Sequence, residues 1–403
     1  MPAPLDGLRV VDFTRVLAGP HCTKALRDLG ADVVKIEPPS GDLGRIGLPQ
    51  VNNIGLYYVQ QNAGKRSLCL DLNYQEAREI ITDLCREADV IVENFRPGTL
   101  ARFKLGYEDV RAFNPRIVYV SLSGYGQSTS WRNRPAFAPT VHAETGLTAI
   151  VQDHFGEALS EVRGDACSHA DVYTGLQGVI AVLAALQDRH RTGEGQHVDV
   201  SMAATMLSVN ERAGALLSGI DTDGEPIALS ANESHIFEMA DGTHLTISGS
   251  PIHSPIFSRY CAVMRRNDLL GDPRYATAHL RRENLPPLLA EIRAWIGTFD
   301  NLEQLQAQLS EGGLAVGQIR TIGQFADSDW VKEWKAIVHV DDRAGGTVRM
   351  PGNPWLFSRS QLPPPGAPAY QGEHNEAILA EHNVDPDKVA DMKRRKVLLS
   401  RLG

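Results

Sequence analysis

Along the first third of the chain, short β-branched apolar runs alternate with stretches whose apolar positions recur at helical spacing. The run LRVVDF (8–13) reads as a strand, the Gly19-Pro20 pair as a break, HCTKALRDLG (21–30) as a helix and ADVVKIE (31–37) as a second strand. The same alternation returns in RSLCLDL (66–72), YQEAREIITDLCREA (74–88) and DVIVENF (89–95). A turn at Arg96-Pro97-Gly98 and another strand, RIVYVSLSGYG (116–126), follow. Strands separated by helices imply a mainly parallel sheet covered on both faces, so the predicted class is α/β, doubly wound.

From Asp171 to His190 the apolar residues Val172, Leu176, Val179, Ile180, Leu183 and Leu186 fall at helical spacing, which predicts a buried helix. An RTGEGQ turn then leads into the strand HVDVSM (197–202). The run IDTDGEPIALS (220–230) is rich in turn formers and marks a boundary. Beyond it, HLTISGS, DPRYATAHLRR and the amphipathic NLPPLLAEIRAWI predict a smaller α+β lobe ending near GGLAVGQIRT. The tail, with RAGGTVRMPGNP and LPPPGAP, is extended and proline-rich before a last helix in EHNEAILAEH. The expected organisation is a large domain over 1–225, a small domain over 226–325 and a return segment over 326–403.

Composition narrows the partners. A net charge of -9 on 403 residues leaves no broad cationic surface, which argues against nucleic acid or an anionic membrane and for small molecules. The five cysteines, at 22, 69, 85, 167 and 261, have no paired spacing and suit a reducing compartment, so the expected location is cytoplasmic. The N-terminus has no basic segment followed by an apolar run, and no stretch of about 18 uninterrupted apolar residues occurs, so neither export nor a membrane span is expected. The histidines follow no HExxH or similar spacing, and no metal site is expected.

Open parallel sheets bind ligands beyond the carboxyl ends of their strands, which directs attention to three loops. Thr14 to Pro20 leads into a helix N-terminus, where amides can hold a phosphate, but it lacks the GxGxxG of nicotinamide enzymes. Glu93 to Gly98 sets Asn94, Phe95 and Arg96 together, fit either to grip a nucleotide or to cap and pack. Gly164 to Gly175 places Asp171 in the first turn of the long helix, where the helix dipole favours a carboxylate; Ala170 and Gly175 beside it would admit a bulky thioester. Local physics alone favours Asp171 as a plain N-cap or first-turn acid, with Asp165, Cys167 and His169 as rival groups. His142 with Glu144 is a further candidate acid–base pair, and Glu238 and Asp241 offer further carboxylates ahead of HLTISGS.

The motifs PLDGLRVVDFTRVLAGP, LGADVVKIEPPSGD, KRSLCLDL, ENFRPGTL, GYGQS, HADVYTG and RTGEGQHVDVSM, in this order over nearly the whole chain, resemble the class III CoA-transferase family. That family groups formyl-CoA and carnitine CoA-transferases with α-methylacyl-CoA racemases. The resemblance implies a Rossmann-like large domain completed by the return segment, a small α+β domain, and an interlocked homodimer. It implies an acyl-CoA:carboxylate CoA-transferase with no permanently bound cofactor, taking coenzyme A or acyl-CoA and a small carboxylic acid as substrates. The family's nucleophilic aspartate matches Asp171, not Asp165. Its CoA contacts match Val16, Leu70, Asn73, Asn94, Phe95, Arg102 and Phe103, with Arg102 the phosphate contact.

The departures are informative. Leu17, Pro38 and Phe137-Ala138 stand where formyl-CoA transferases have a Gln, a basic residue and a Tyr-Glu pair, which argues against oxalate or formate as substrate. Ser248-Gly249-Ser250-Pro251 reduces their glycine-rich loop, and Ala136-Phe137-Ala138 replaces the racemases' histidine motif. The alternatives are an acyl-CoA racemase, dehydratase or intramolecular CoA-transferase of the same family, with His142 as substitute base, and a non-catalytic CoA-binding protein.

Overall fold

In the computed structural model, residues 1–155, 167–211, 213–218 and 235–401 are described. The chain forms two units, Met1–Gly214 with Glu333–Gly403, and Ala215–Lys332. The boundary expected at 225 lies outside the described residues.

The first unit is built on six parallel strands: β1 (Arg9–Asp12), β2 (Asp32–Glu37), β3 (Arg66–Cys69), β4 (Val90–Glu93), β5 (Val118–Ser123) and β6 (His197–Ser201). Their order in the sheet is β3-β2-β1-β4-β5-β6, the Rossmann arrangement. Strand alternation divides the core in two. Val10, Val33, Val90 and Val118 point to one face and meet Cys22 and Leu26 of α1 (Ala18–Asp28). Val11, Val34 and Ile91 point to the other face and meet Ile80, Ile81 and Leu84 of α3 (Gln75–Glu87), between which and α1 the short α2 (Leu56–Asn62) intervenes in sequence. Ile378, Leu379, Met392 and Leu398 from the C-terminal segment join this second core. The α/β doubly wound architecture expected from the alternation is therefore present.

Two local readings are corrected. Gly19-Pro20 is not a break: α1 already begins at Ala18, because a proline in the first turn lacks only an N–H that would have no helical partner. The long helix, α5 (His169–Thr192), follows α4 (Ala138–Glu144) and precedes α6 (Met202–Val209), and it is only half buried. Val179, Val182 and Ala185 pack on the sheet, whereas Leu176, Ile180 and Leu183 form an exposed stripe at 39%, 58% and 40% exposure. By length and composition α5 would also span a membrane; here it lies against α1, α6 and β5.

The second unit carries a three-stranded antiparallel sheet of β7 (Ile236–Glu238), β8 (His244–Ile247) and β9 (Val316–Gln318), with β8 central. Helices α7 (Ser254–Met264), α8 (Leu285–Ile296) and α9 (Leu302–Glu311) close its core through Tyr260, Ile292 and Leu305 against Phe237 and Leu245.

Candidate active site

Strand order reverses between β1 and β4, so the loops after these two strands flank the crevice where such sheets take ligands. The two loops are stitched together. Asn94 accepts from the Arg15 amide at 2.8 Å, and its own amide nitrogen donates to the Arg15 carbonyl at 2.9 Å. Val16 sits in the left-handed region at φ 67°, unfavourable for a β-branched residue, and donates its N–H to Asp42 at 3.1 Å. Behind Asn94, buried Glu93 accepts from the Phe95 amide at 2.8 Å, and burial pushes its carboxyl up to about 7.

A cavity of about 510 Å³ opens above these loops. Val16, Asn94 and Phe95 line it together with Asp171, Ala138 and Tyr57. Among the described residues Asp171 is the one carboxylate in a lining that includes Arg15, Arg96, Arg132 and Arg134. Arg134 is already occupied, by Glu144 at 3.2 Å and by the ring of Trp131 at 3.6 Å. A second cavity of about 380 Å³ is lined by Leu70, Asn73, Phe103 and Leu100, and shares Arg15 and Phe95 with the first. The structure thus distributes the expected CoA contacts over two adjoining cavities. Arg102 is the exception: it is exposed on the 3-10 turn Ala101–Phe103 and lines neither.

Asp171 is not the cap of its helix. Ser168 occupies the N-cap, and the Asp171 carboxylate faces the backbone amides of Ala18 and Ala138, donors from two other helix starts. Burial pushes its carboxyl up to about 6 against the downward pull of those amides. Tyr57 lies within its field, and burial together with the Asp171 charge raises the phenol to about 12.

The small residues beside Asp171 serve packing rather than thioester access. A Cβ on Gly175 would come within 2.7 Å of the Ala18 carbonyl, so the glycine allows α5 to press on α1. Ala170 is buried with Val141, Met202 and Met206. Its amide donates to His142 Nε2 at 3.0 Å. An amide can only donate, so that nitrogen is an acceptor engaged with α5 and is not a free base beside substrate. His142 and Glu144 do not form a pair, since Glu144 turns to Arg134. His169 stacks on Tyr173, Glu238 and Asp241 are exposed in the second unit, and Asp165 lies outside the described residues. Among the described residues no cluster fit to hold a metal occurs.

Sequence reading missed Tyr57, Asp42 and the Ala138 amide, and it offered the amides of the Thr14 to Pro20 loop, Ala18 among them, to a phosphate and not to Asp171. Asp42 ends the LGADVVKIEPPSGD motif, which was the available signal; nothing local marks Tyr57 or the Ala138 amide.

A crevice with a half-buried carboxylate among arginines is a site for an anionic small molecule. Comparison with known proteins specifies which class. The family model for CoA-transferase family III matches residues 5–375. Succinyl-CoA:mesaconate CoA-transferase of Haloarcula hispanica is 35% identical, covering 94% of this chain and 96% of the relative. Formyl-CoA:oxalate CoA-transferase of Escherichia coli O157:H7 is 29% identical over 99% of this chain and all of the relative. A CAIB/BAIF family protein from Brucella suis superposes with a TM-score of 0.79 at 30% identity, covering 96% of this chain and 100% of the other. The chain belongs to the class III CoA-transferase family and is an enzyme of that class.

Proposed function

We propose that the protein transfers coenzyme A from an acyl-CoA to a small carboxylic acid, with Asp171 as the acyl acceptor. The observation that carries this reading is the half-buried Asp171 carboxylate, the one carboxylate among the described residues that line a cavity rich in arginine, facing two backbone amides. A carboxylate oxygen attacks the thioester carbonyl, the C–S bond breaks, and an aspartyl anhydride forms with release of CoA thiolate. The thiolate then attacks the aspartyl carbonyl, freeing the donor acid and leaving an aspartyl-CoA thioester. The incoming carboxylate displaces the thiolate again, and thiolate attack on the new anhydride releases the product thioester and restores Asp171. The Ala18 and Ala138 amides are donors suited to the oxygen that becomes negative in these steps. The first cavity takes the acyl end; the second, reached past Arg15 and Phe95, takes the nucleotide end.

The named relatives act on succinyl-CoA with mesaconate and on formyl-CoA with oxalate, and the arginine lining suits such acids, which places dicarboxylates first among substrates to try. During turnover with a panel of acyl-CoAs and mono- and dicarboxylic acids, hydroxylamine should convert Asp171 to its hydroxamate, read by peptide mass spectrometry. Turnover without modification of that peptide would remove the covalent mechanism.

A second copy of the chain is proposed to cover the Leu176, Ile180 and Leu183 stripe, as the interlocked dimer would. Sedimentation of the intact protein should give twice the chain mass; a monomer at micromolar concentration contradicts this.

A further inference from the structure

We propose that Asp42 is a positioning residue for the reaction: with its buried partner Lys35 it clamps the loop after β1 in a strained conformation that aims the Ala18 amide at Asp171. The inference rests on Asp171 being the acyl acceptor.

The loop is held at successive residues by side chains from outside it. Thr14 donates its amide to Asp12 at 2.8 Å, and the Lys35 ammonium donates to the Thr14 carbonyl at 2.7 Å. Asn94 takes both backbone groups of Arg15. Asp42 accepts from the Val16 amide at 3.1 Å and from the Gly44 amide at 2.9 Å, which ties the loop to the turn that follows β2. Lys35 and Asp42 pair at 2.9 Å with both side chains about 1% exposed. Lys65 completes the base, donating to Asp12, to Thr23 and to the Pro20 carbonyl of α1 at 2.7–3.1 Å. A buried ion pair of this kind contributes little net stability compared with an apolar pair of the same shape, so its presence points to a demand for geometry.

That demand is visible at Val16. A β-branched residue at φ 67° is disfavoured, and such conformations persist only where the surroundings over-determine them. Leu17 and Ala18 follow directly, and Ala18 opens α1. If Val16 relaxes to an extended conformation, the chain direction into α1 changes and the Ala18 amide leaves Asp171. The Asp42 carboxylate, through the Val16 amide, holds that choice.

The test compares Asp42→Asn in two backgrounds. Asparagine keeps an acceptor oxygen but lacks the charge that pairs with Lys35. With Val16 in place, D42N should lower kcat by about tenfold or more, because the competent loop becomes a minor population. Glycine adopts φ near +67° without strain, so in a Val16→Gly background the same D42N change should lower kcat by less than about threefold. A merely structural role for Asp42 would give equal factors in both backgrounds, with the loss traceable to unfolded protein. Thermal unfolding monitored by circular dichroism separates that case. Hydrogen exchange of the wild-type protein needs no variant: the Arg15 and Val16 amides should exchange as slowly as core strand amides, and exchange at the rate of an open loop overturns the clamp.

Asp171→Ala is assayed alongside. If it is inert while D42N is within about threefold of wild type, or while the D42N factor is the same in both backgrounds, the clamp is wrong and the acyl-acceptor reading stands. If Asp171→Ala still turns over, both fall.

Discussion

Replacing Asp171 by Ala is expected to lower acyl-CoA:carboxylate exchange by about a thousandfold or more while leaving acyl-CoA binding within about threefold of wild type. The asymmetry follows from where each part of the site sits. The bonds that hold Arg15, Val16 and Asn94 run to one another and to Asp42, not to Asp171, and the second cavity is lined by Leu70, Asn73 and Phe103. What the variant lacks is the atom that becomes covalently attached. Removing a nucleophile of this kind lowers the chemical step by several orders of magnitude in enzymes where this has been dissected, because the residual rate reflects binding and oxyanion stabilisation alone. Among the described residues no second carboxylate lines the cavity to substitute. Exchange of a labelled carboxylate into an acyl-CoA that the wild type turns over, with fluorescence or calorimetric titration of the CoA ester, measures both quantities. Exchange within about tenfold of wild type in the Ala variant would mean that another group accepts the acyl chain.

The sheet was legible in the sequence because its information is local. Val10 and Val11 point to opposite cores simply because strand residues alternate, and the apolar positions of α3 recur at helical spacing whatever they pack against. Asp171 shows where that legibility ends. Its neighbours in sequence give it the profile of a capping acid, and motif order alone marked it out; its surroundings come from Ala18, Tyr57 and Ala138, segments far apart in the chain. The same holds for His142, which read as a possible base and is instead an acceptor for the Ala170 amide. Burial of α5 was overstated because helical periodicity reports an apolar face without saying whether this chain covers it. Arg102 was placed by motif position, whereas cavity lining is settled by a 3-10 turn that leaves its side chain outside and brings in Phe103.

The protonation of Asp171 yields the second large effect, and it sets activity against stability. A carboxylate must be ionised to attack a thioester, and burial raises this one from 3.8 to about 6. The specific activity kcat/KM should therefore fall about tenfold per pH unit below about 6 and level off above it. Linkage gives the sign for the fold. Below pH 3.8 the group is protonated in folded and unfolded chains alike and has no effect. Between 3.8 and about 6 the unfolded chain releases its proton first, so folding becomes less favourable as pH rises. Above about 6 the whole penalty is present, about 1–3 kcal/mol after allowance for partial solvent screening. Asp171→Asn does not titrate and keeps an oxygen toward the Ala18 and Ala138 amides, so at pH 7.5 it should unfold several degrees above wild type. That advantage should shrink as pH is lowered and vanish near pH 4. Glu93, raised by burial to about 7, titrates identically in both proteins, so the difference between them isolates Asp171. An Asn variant with a midpoint equal to or below wild type at pH 7.5, or an offset that does not depend on pH, would show that the fold does not strain to keep this carboxylate ionised. The expected outcome is an inactive protein more stable than the active one, the mark of a group that burial disfavours in the charged form and that the reaction requires in that form.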